Sequence, residues 1–209
     1  LHRGTRVRKM HSSYRSTFRT IGNTPLATVS RKDGVKPIVE NYNHRRKDRK
    51  AKILPYFEEK VTIVYYYPNM QPDIIDSLVD NGYKGIIIAG TGLGHINKPL
   101  YPAIERATKK GVHIYMTVQT LWGYAHMYVY DTGRDLMAKG IIPAENMLPE
   151  TAYIKLGWAL GQTNDPAEVR RLMLTPINSE ITEREPYNGY LIYQGGVPEV
   201  EDFIRKFRK

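Results

Sequence analysis

The chain has 209 residues, 41% of them hydrophobic, no cysteine and a formal net charge of +10. Such a composition suits one or two small domains with a real core, and it excludes a chain that is disordered throughout or stapled by disulfides. No apolar run approaches the ~18 residues of a spanning helix, and the basic N-terminus is followed by no apolar h-region, so the expectation is a cytoplasmic protein with no membrane contact.

Thr5 to Met10 and Leu26 to Val29 read as short strands, and Asp33-Gly34 marks a turn before Pro37-Ile38-Val39. Leu1 is not an initiator methionine, and Gly4-Thr5-Arg6-Val7-Arg8-Lys9-Met10-His11-Ser12-Ser13 starts in mid-pattern, without the strands that would complete a sheet. Residues 1–30 are therefore expected to be the remnant of a preceding domain, and residues 31–60 a basic linker. Residues 1–52 hold fifteen Lys/Arg against Asp33, Glu40 and Asp48, about +12, which leaves the rest of the chain at about −2. The densest run, Arg45, Arg46, Lys47, Arg49, Lys50 and Lys52, would attract RNA phosphates or an acidic partner surface. A solvated linker is the alternative, because no aromatic residue is interleaved to stack on bases.

From Val61 strands and helices alternate. Val61 to Tyr67 is rich in β-formers, and Pro72 to Asn81 is a predicted helix closed by Gly82. The run Ile86-Ile87-Ile88-Ala89 reads as a strand buried on both faces. Leu100 to Lys110 is predicted helical, with Ile104 and Ala107 on one face, paired lysines at its end and Gly111 as its stop. His113 to Val118 is the next strand. Further helices are expected over Thr132 to Lys139, over Pro149 to Leu160 with Gly161 as terminator, and from the Asp165-Pro166 cap to Met173. Short joins of this kind demand parallel crossovers, so residues 61–209 are expected to form an α/β domain, a small doubly wound, flavodoxin-like parallel sheet of three or four strands, with a C-terminal extension.

Two loops follow the strands at the edge where such sheets bind ligands. Gly90-Thr91-Gly92-Leu93-Gly94-His95 spaces three glycines so that backbone can approach a ligand closely and present Thr91 and His95; a plain tight turn is the other reading. The spacing G-x-G-x-G is not the dinucleotide fingerprint, and no acidic residue ends the strand that follows, which argues against an oxidoreductase. The second loop, Gln119 to Tyr128, carries Trp122, Tyr124 and His126 and is longer than a simple connection needs. Six scattered histidines, without an H-x-x-x-H pair on a predicted helix, predict no metal site.

Taken in order, the Gly4–Ser13 segment, the Gly90–His95 loop, Tyr130-Asp131-Thr132-Gly133-Arg134 followed by Gly140-Ile141-Ile142-Pro143, and Met147-Leu148-Pro149-Glu150-Thr151-Ala152-Tyr153-Ile154-Lys155-Leu156 resemble the L-asparaginase/glutaminase family. Glu180-Ile181-Thr182-Glu183-Arg184 and Tyr193-Gln194-Gly195-Gly196-Val197-Pro198-Glu199 resemble, within it, the subunits that supply ammonia for tRNA-dependent amidation. The resemblance implies threonine nucleophiles activated by an Asp and a Lys, attack on the side-chain amide of glutamine, and transfer of ammonia to a partner subunit that uses ATP to convert Glu-tRNA(Gln) to Gln-tRNA(Gln). It also implies a homodimer, and residues 61–209 as the family's C-terminal domain after a truncated N-terminal one.

The family's nucleophile loops, Gly-Gly-Thr and Gly-Thr-Asp-Thr, occur nowhere in residues 1–209. No catalytic residue is assigned and no cofactor is expected on this chain, which is predicted to be inactive alone. What it would supply is a rim to the neighbouring subunit's active site, from Thr91, Gly92 and His95; a histidine satisfied by backbone is the alternative. Trp122, Tyr124 and His126 are candidates for the same rim or for the dimer interface. A fragment of a free L-asparaginase, and a non-catalytic scaffold that docks tRNA or a further protein through its basic run, remain as other readings.

Overall fold

The computed structural model describes residues 1–14, 17–45, 47–48 and 50–186. It divides into two compact units, Leu1–Lys50 with the described residues from Thr182, and Ala51–Ile181.

The first unit is built on two antiparallel pairs. Strand β1 (Val7–Lys9) pairs with β2 (Phe18–Thr20), Val7 opposite Thr20. Strand β3 (Ala27–Ser30) pairs with β4 (Gly34–Pro37), so the hairpin crosses the expected boundary at residue 30. The Asp33-Gly34 turn lies where the sequence places it: Ser30 Oγ accepts from the Asp33 amide at 2.9 Å, and Gly34 takes φ +67°. Strand β1 is shorter than Thr5 to Met10 because Gly4–Arg6 forms a 3-10 turn that sends Arg6 inward. Arg6 is fully buried, donates from Nε to the Ile21 carbonyl at 2.9 Å and lies 3.6 Å from the Glu185 carboxylate. Strand β2 gave no sequence signal, being three residues long with an arginine at its centre.

The second unit carries a four-stranded parallel sheet in chain order, β5 (Val61–Tyr65), β6 (Gly85–Gly90), β7 (His113–Val118) and β8 (Ile142–Pro143). The crossovers are α1 (Asp73–Asp80), α2 (Tyr101–Lys109) and α3 (Asp131–Ala138). Ile86, Ile88, Ile114, Met116 and Val118 pack with Ile75 of α1, Ile104 and Ala107 of α2 and Leu136 of α3. On the other face Val61, Ile87 and Tyr115 meet Ala152, Leu156 and Ala159 of α4 (Pro149–Gln162) and Val169 and Met173 of α5 (Pro166–Leu174). Residues of opposite parity on one strand are thus buried on opposite faces, which is why Ile86 to Ile88 are continuously apolar. The expected α/β class and the helix-covered parallel sheet are both present.

Strand β8 is only two residues long and contains Pro143, which cannot donate to the ladder and sits at the sheet's edge. Helix α4 does not end at Gly161 as expected but runs through it to Gln162. The reason is close approach: a Cβ at Gly161 would lie 2.3 Å from the Tyr56 carbonyl oxygen, and one at Gly157 would lie 3.2 Å from that of Glu58. The Glu58 amide donates to the Gly157 carbonyl at 2.9 Å, so an extended segment lies directly against the helix backbone. The Asp165 cap is as read from sequence, its Oδ1 accepting from the Ala167 amide at 3.0 Å. Among the described residues no helix is long and apolar enough to cross a membrane.

Candidate functional site at the carboxyl edge of the parallel sheet

The loops after β5, β6, β7 and β8 converge at one edge of this sheet. Gln119, just past β7, donates from Nε2 to the carbonyls of Tyr66 and Ala89, and from its amide to Gly90. Three strand ends are thereby tied together.

The glycine loop is a tight reversal. The Thr91 amide donates to the His95 carbonyl at 3.0 Å and the His95 amide to the Thr91 carbonyl at 2.8 Å, with Gly92 at φ +52° and Gly94 at φ +97° between them. Thr91 and Gly92 are exposed and His95 is half-buried. At Gly94 a Cβ would lie 2.8 Å from Met116 Cγ, 3.3 Å from Met127 Cγ and 3.6 Å from Ala125 Cβ, so this glycine seats the first loop on the second.

His95 is organised by residues of the Tyr130–Arg134 motif, to which sequence alone gave no place in the site. Its Nδ1 lies 3.2 Å from Thr132 Oγ1 in the first turn of α3, and its ring centroid is 5.4 Å from that of Tyr130, planes at 54°. His95 Nε2 is buried and makes no hydrogen bond among the described residues. Thr132 is itself fixed: its amide donates to Asp131 Oδ1 at 2.7 Å, and its carbonyl accepts from the Tyr101 hydroxyl at 3.2 Å. Burial first, then Asp135 and Asp131, push the Tyr101 phenol above its ordinary value, so it stays protonated as the donor. Gly133 explains how α3 reaches this place, since a Cβ there would overlap the Met127 carbonyl oxygen. Arg134 Nη1 then donates to the carbonyls of Tyr128 and Val129, at 2.9 and 3.2 Å, and holds the loop end.

In the second loop Trp122, Tyr124 and His126 are half-buried. Tyr124 and His126 stack with centroids 4.9 Å apart at 25°, and Tyr128 continues the ladder 5.3 Å from His126. Glu145, just past β8, anchors this loop by accepting from the Ala125 amide at 2.9 Å, with its own backbone at φ +56°. Burial raises the Glu145 carboxyl above its ordinary range, and His126 opposes that rise.

The basic run lies elsewhere in the chain. Arg45, Lys47, Lys50 and Lys52 are exposed and in neither helix nor strand, and Arg46 and Arg49 lie outside the described residues, as does the Tyr193–Glu199 segment. Among the described residues no cluster of three His, Asp or Glu is arranged to hold a metal ion.

Comparison with known proteins finds relatives of most of the chain. The model of the Glutaminase/Asparaginase C-terminal domain matches residues 60–173. The D-type subunit of glutamyl-tRNA(Gln) amidotransferase from Thermococcus kodakarensis is 48% identical over 190 residues, 91% of this chain and 43% of that protein. Its counterpart from Methanothermobacter thermautotrophicus is 48% identical over 184 residues, 88% of this chain and 42% of the other. Among solved structures, the thermostable L-asparaginase from Thermococcus kodakarensis superposes with a TM-score of 0.77 at 30% identity, covering 86% of this chain and 54% of its own. L-asparaginase I from Vibrio cholerae gives 0.76 at 25%, covering 87% and 55%. The chain spans less than half the length of the curated relatives it matches.

Proposed function

This chain belongs to the Glutaminase/Asparaginase C-terminal domain family, and we propose that it is the C-terminal part of the ammonia-supplying subunit of a tRNA-dependent amidotransferase. The observation that carries this reading is the difference in similarity: 48% identity over 91% of the chain to an amidotransferase subunit, against 30% to the asparaginase of the same organism. The whole protein would hydrolyse glutamine and pass ammonia to a partner subunit, which would spend ATP in converting Glu-tRNA(Gln) to Gln-tRNA(Gln).

The chain's own contribution is the rim of a neighbour's active site in a homodimer. His95 Nε2, buried and without a partner among the described residues, is the group suited to bind a free amino-acid amide there, beside the exposed Thr91 and Gly92. Trp122, Tyr124 and His126 would form the adjoining interface. A hydroxyl needs an adjacent base to become a nucleophile, and neither Gly4-Thr5-Arg6 nor Gly90-Thr91-Gly92 is followed by the family's Asp-Thr pair. The chain alone would therefore release no ammonia.

Ammonia release from L-glutamine and L-asparagine tests this, first with the chain alone and then after refolding with a separately expressed upstream half of the Thermococcus kodakarensis amidotransferase relative. The expected result is release only from the mixture, with glutamine preferred. Preference for asparagine would move the chain to the free asparaginases. Release by the chain alone would overturn the placement of the nucleophiles.

A further inference from the structure

We propose that Thr132 is the positioning residue for His95: its hydroxyl donates to Nδ1, places the imidazole proton on Nε2, and so turns Nε2–H into a fixed donor for the carboxylate of an amino-acid ligand. The use of that donor rests on the rim reading above; the clamp itself does not.

A threonine hydroxyl has one proton to give and two lone pairs to accept with. Thr132 Oγ1 has His95 Nδ1, at 3.2 Å, as its partner among the described residues. Were Nδ1 to keep the proton, the hydroxyl's own proton would be left without a protein acceptor among the described residues. Donation from Oγ1 to Nδ1 uses it and leaves the ring's single proton on Nε2. The backbone that carries the hydroxyl is held, its amide donating to Asp131 and its carbonyl accepting from Tyr101. Nor can the ring turn freely: Tyr130 packs against it, and the Thr91–His95 hydrogen bonds hold its backbone. What remains is a buried donor without a hydrogen-bond partner among the described residues, an arrangement that a ligand oxygen would complete. A donor-only group selects an acceptor, and the carboxylate is the acceptor-only part of a free amino acid.

The test is a two-bond proton–nitrogen correlation spectrum of the 15N-histidine-labelled chain at neutral pH, with the His95 signals identified by their loss in H95Q. The expected wild-type pattern is a pyridine-type Nδ1 and a pyrrole-type Nε2. T132S should keep it, whereas the near-isosteric T132V, and T132A as a second variant, should mix the two tautomers. A protonated Nδ1 in the wild type, or a T132V spectrum identical to it, overturns the clamp. In the refolded two-part enzyme, T132V should raise the KM for glutamine about 3- to 10-fold, as expected for one lost hydrogen bond, with kcat within about twofold and T132S restoring the wild-type value. Unchanged KM in T132V, where H95Q raises it, overturns the use of Nε2–H as the ligand's donor. Unchanged KM in H95Q overturns the rim reading, and the tautomer spectrum still decides the clamp.

Discussion

At Gly94 two independent demands meet, a φ of +97° and Met116 Cγ 2.8 Å from where a Cβ would stand. Gly94→Ala should therefore lower stability by about 2 kcal/mol or more, read as a shift of the denaturation midpoint. Gly92 has nothing nearer than His95 Cδ2 at 3.9 Å, so alanine there should cost only its backbone strain of about 1 kcal/mol. Equal costs at the two positions would contradict the seating of one loop on the other. Glu145 makes a prediction in pH. Its folded carboxyl is raised, chiefly by burial, so the folded state holds a proton that the unfolded state has already released. Its stabilising contribution is complete below the ordinary carboxylate range and is lost as pH rises through the folded value. Glu145→Gln should accordingly gain stability over wild type between pH 4 and pH 7 in denaturant titrations. A difference that shrinks with rising pH would contradict the assignment.

The element that governs the far face of the sheet is α4, which is held by a backbone contact and by a buried ion pair. Gly161→Ala forces a methyl onto the Tyr56 carbonyl and should cost about 2–4 kcal/mol, with faster hydrogen exchange at Glu58, whose amide bonds Gly157. Normal protection at Glu58 would mean that the segment does not depend on the glycine. Lys155, on the same helix, donates from Nζ to Glu180 Oε1 at 2.5 Å and to the Thr175 carbonyl at 2.7 Å. Burial pushes the Glu180 carboxyl up, but the hydrogen bonds from Lys155 and from the Asn178 and Ile177 amides outweigh it and leave the group below its ordinary value. Such a group stabilises above the unfolded carboxylate range, and the contribution is lost as pH falls through the folded value. Lys155→Met strands a buried carboxylate and should cost about 3–5 kcal/mol at neutral pH, much of it recovered when Glu180→Gln is added. Additive costs in the double variant would show that the two groups are not coupled.

For the whole molecule the governing asymmetry is charge, with an excess of about +12 in residues 1–52 and a slightly acidic remainder. Arg45, Lys47, Lys50 and Lys52 are exposed and in neither helix nor strand, which fits phosphate contact and solvation equally well. Replacing these four by glutamine separates the two. If they contact tRNA, affinity should fall and the slope of log K against log salt should lose about one unit for each contact removed. An unchanged slope would assign the run to solvent.

Much of this protein was legible in the order of its residues, because the signals concerned are local. A continuous β-branched run needs a sheet covered on both faces, Asp165-Pro166 caps a helix by its own chemistry, and alternating glycines after a buried strand mark a tight reversal at the strand's carboxyl end. Tertiary structure decided the rest. Strands β2 and β8 exist through their partners and are too short to carry a pattern. Gly161 looks like a helix terminator until the Tyr56 carbonyl lies against it. His95 meets Thr132, 37 residues further along the chain, and the ring of Tyr130 only in the folded chain. A hydrogen bond or a close backbone approach between distant residues leaves no periodicity in the sequence, and only the folded chain brings the two partners together.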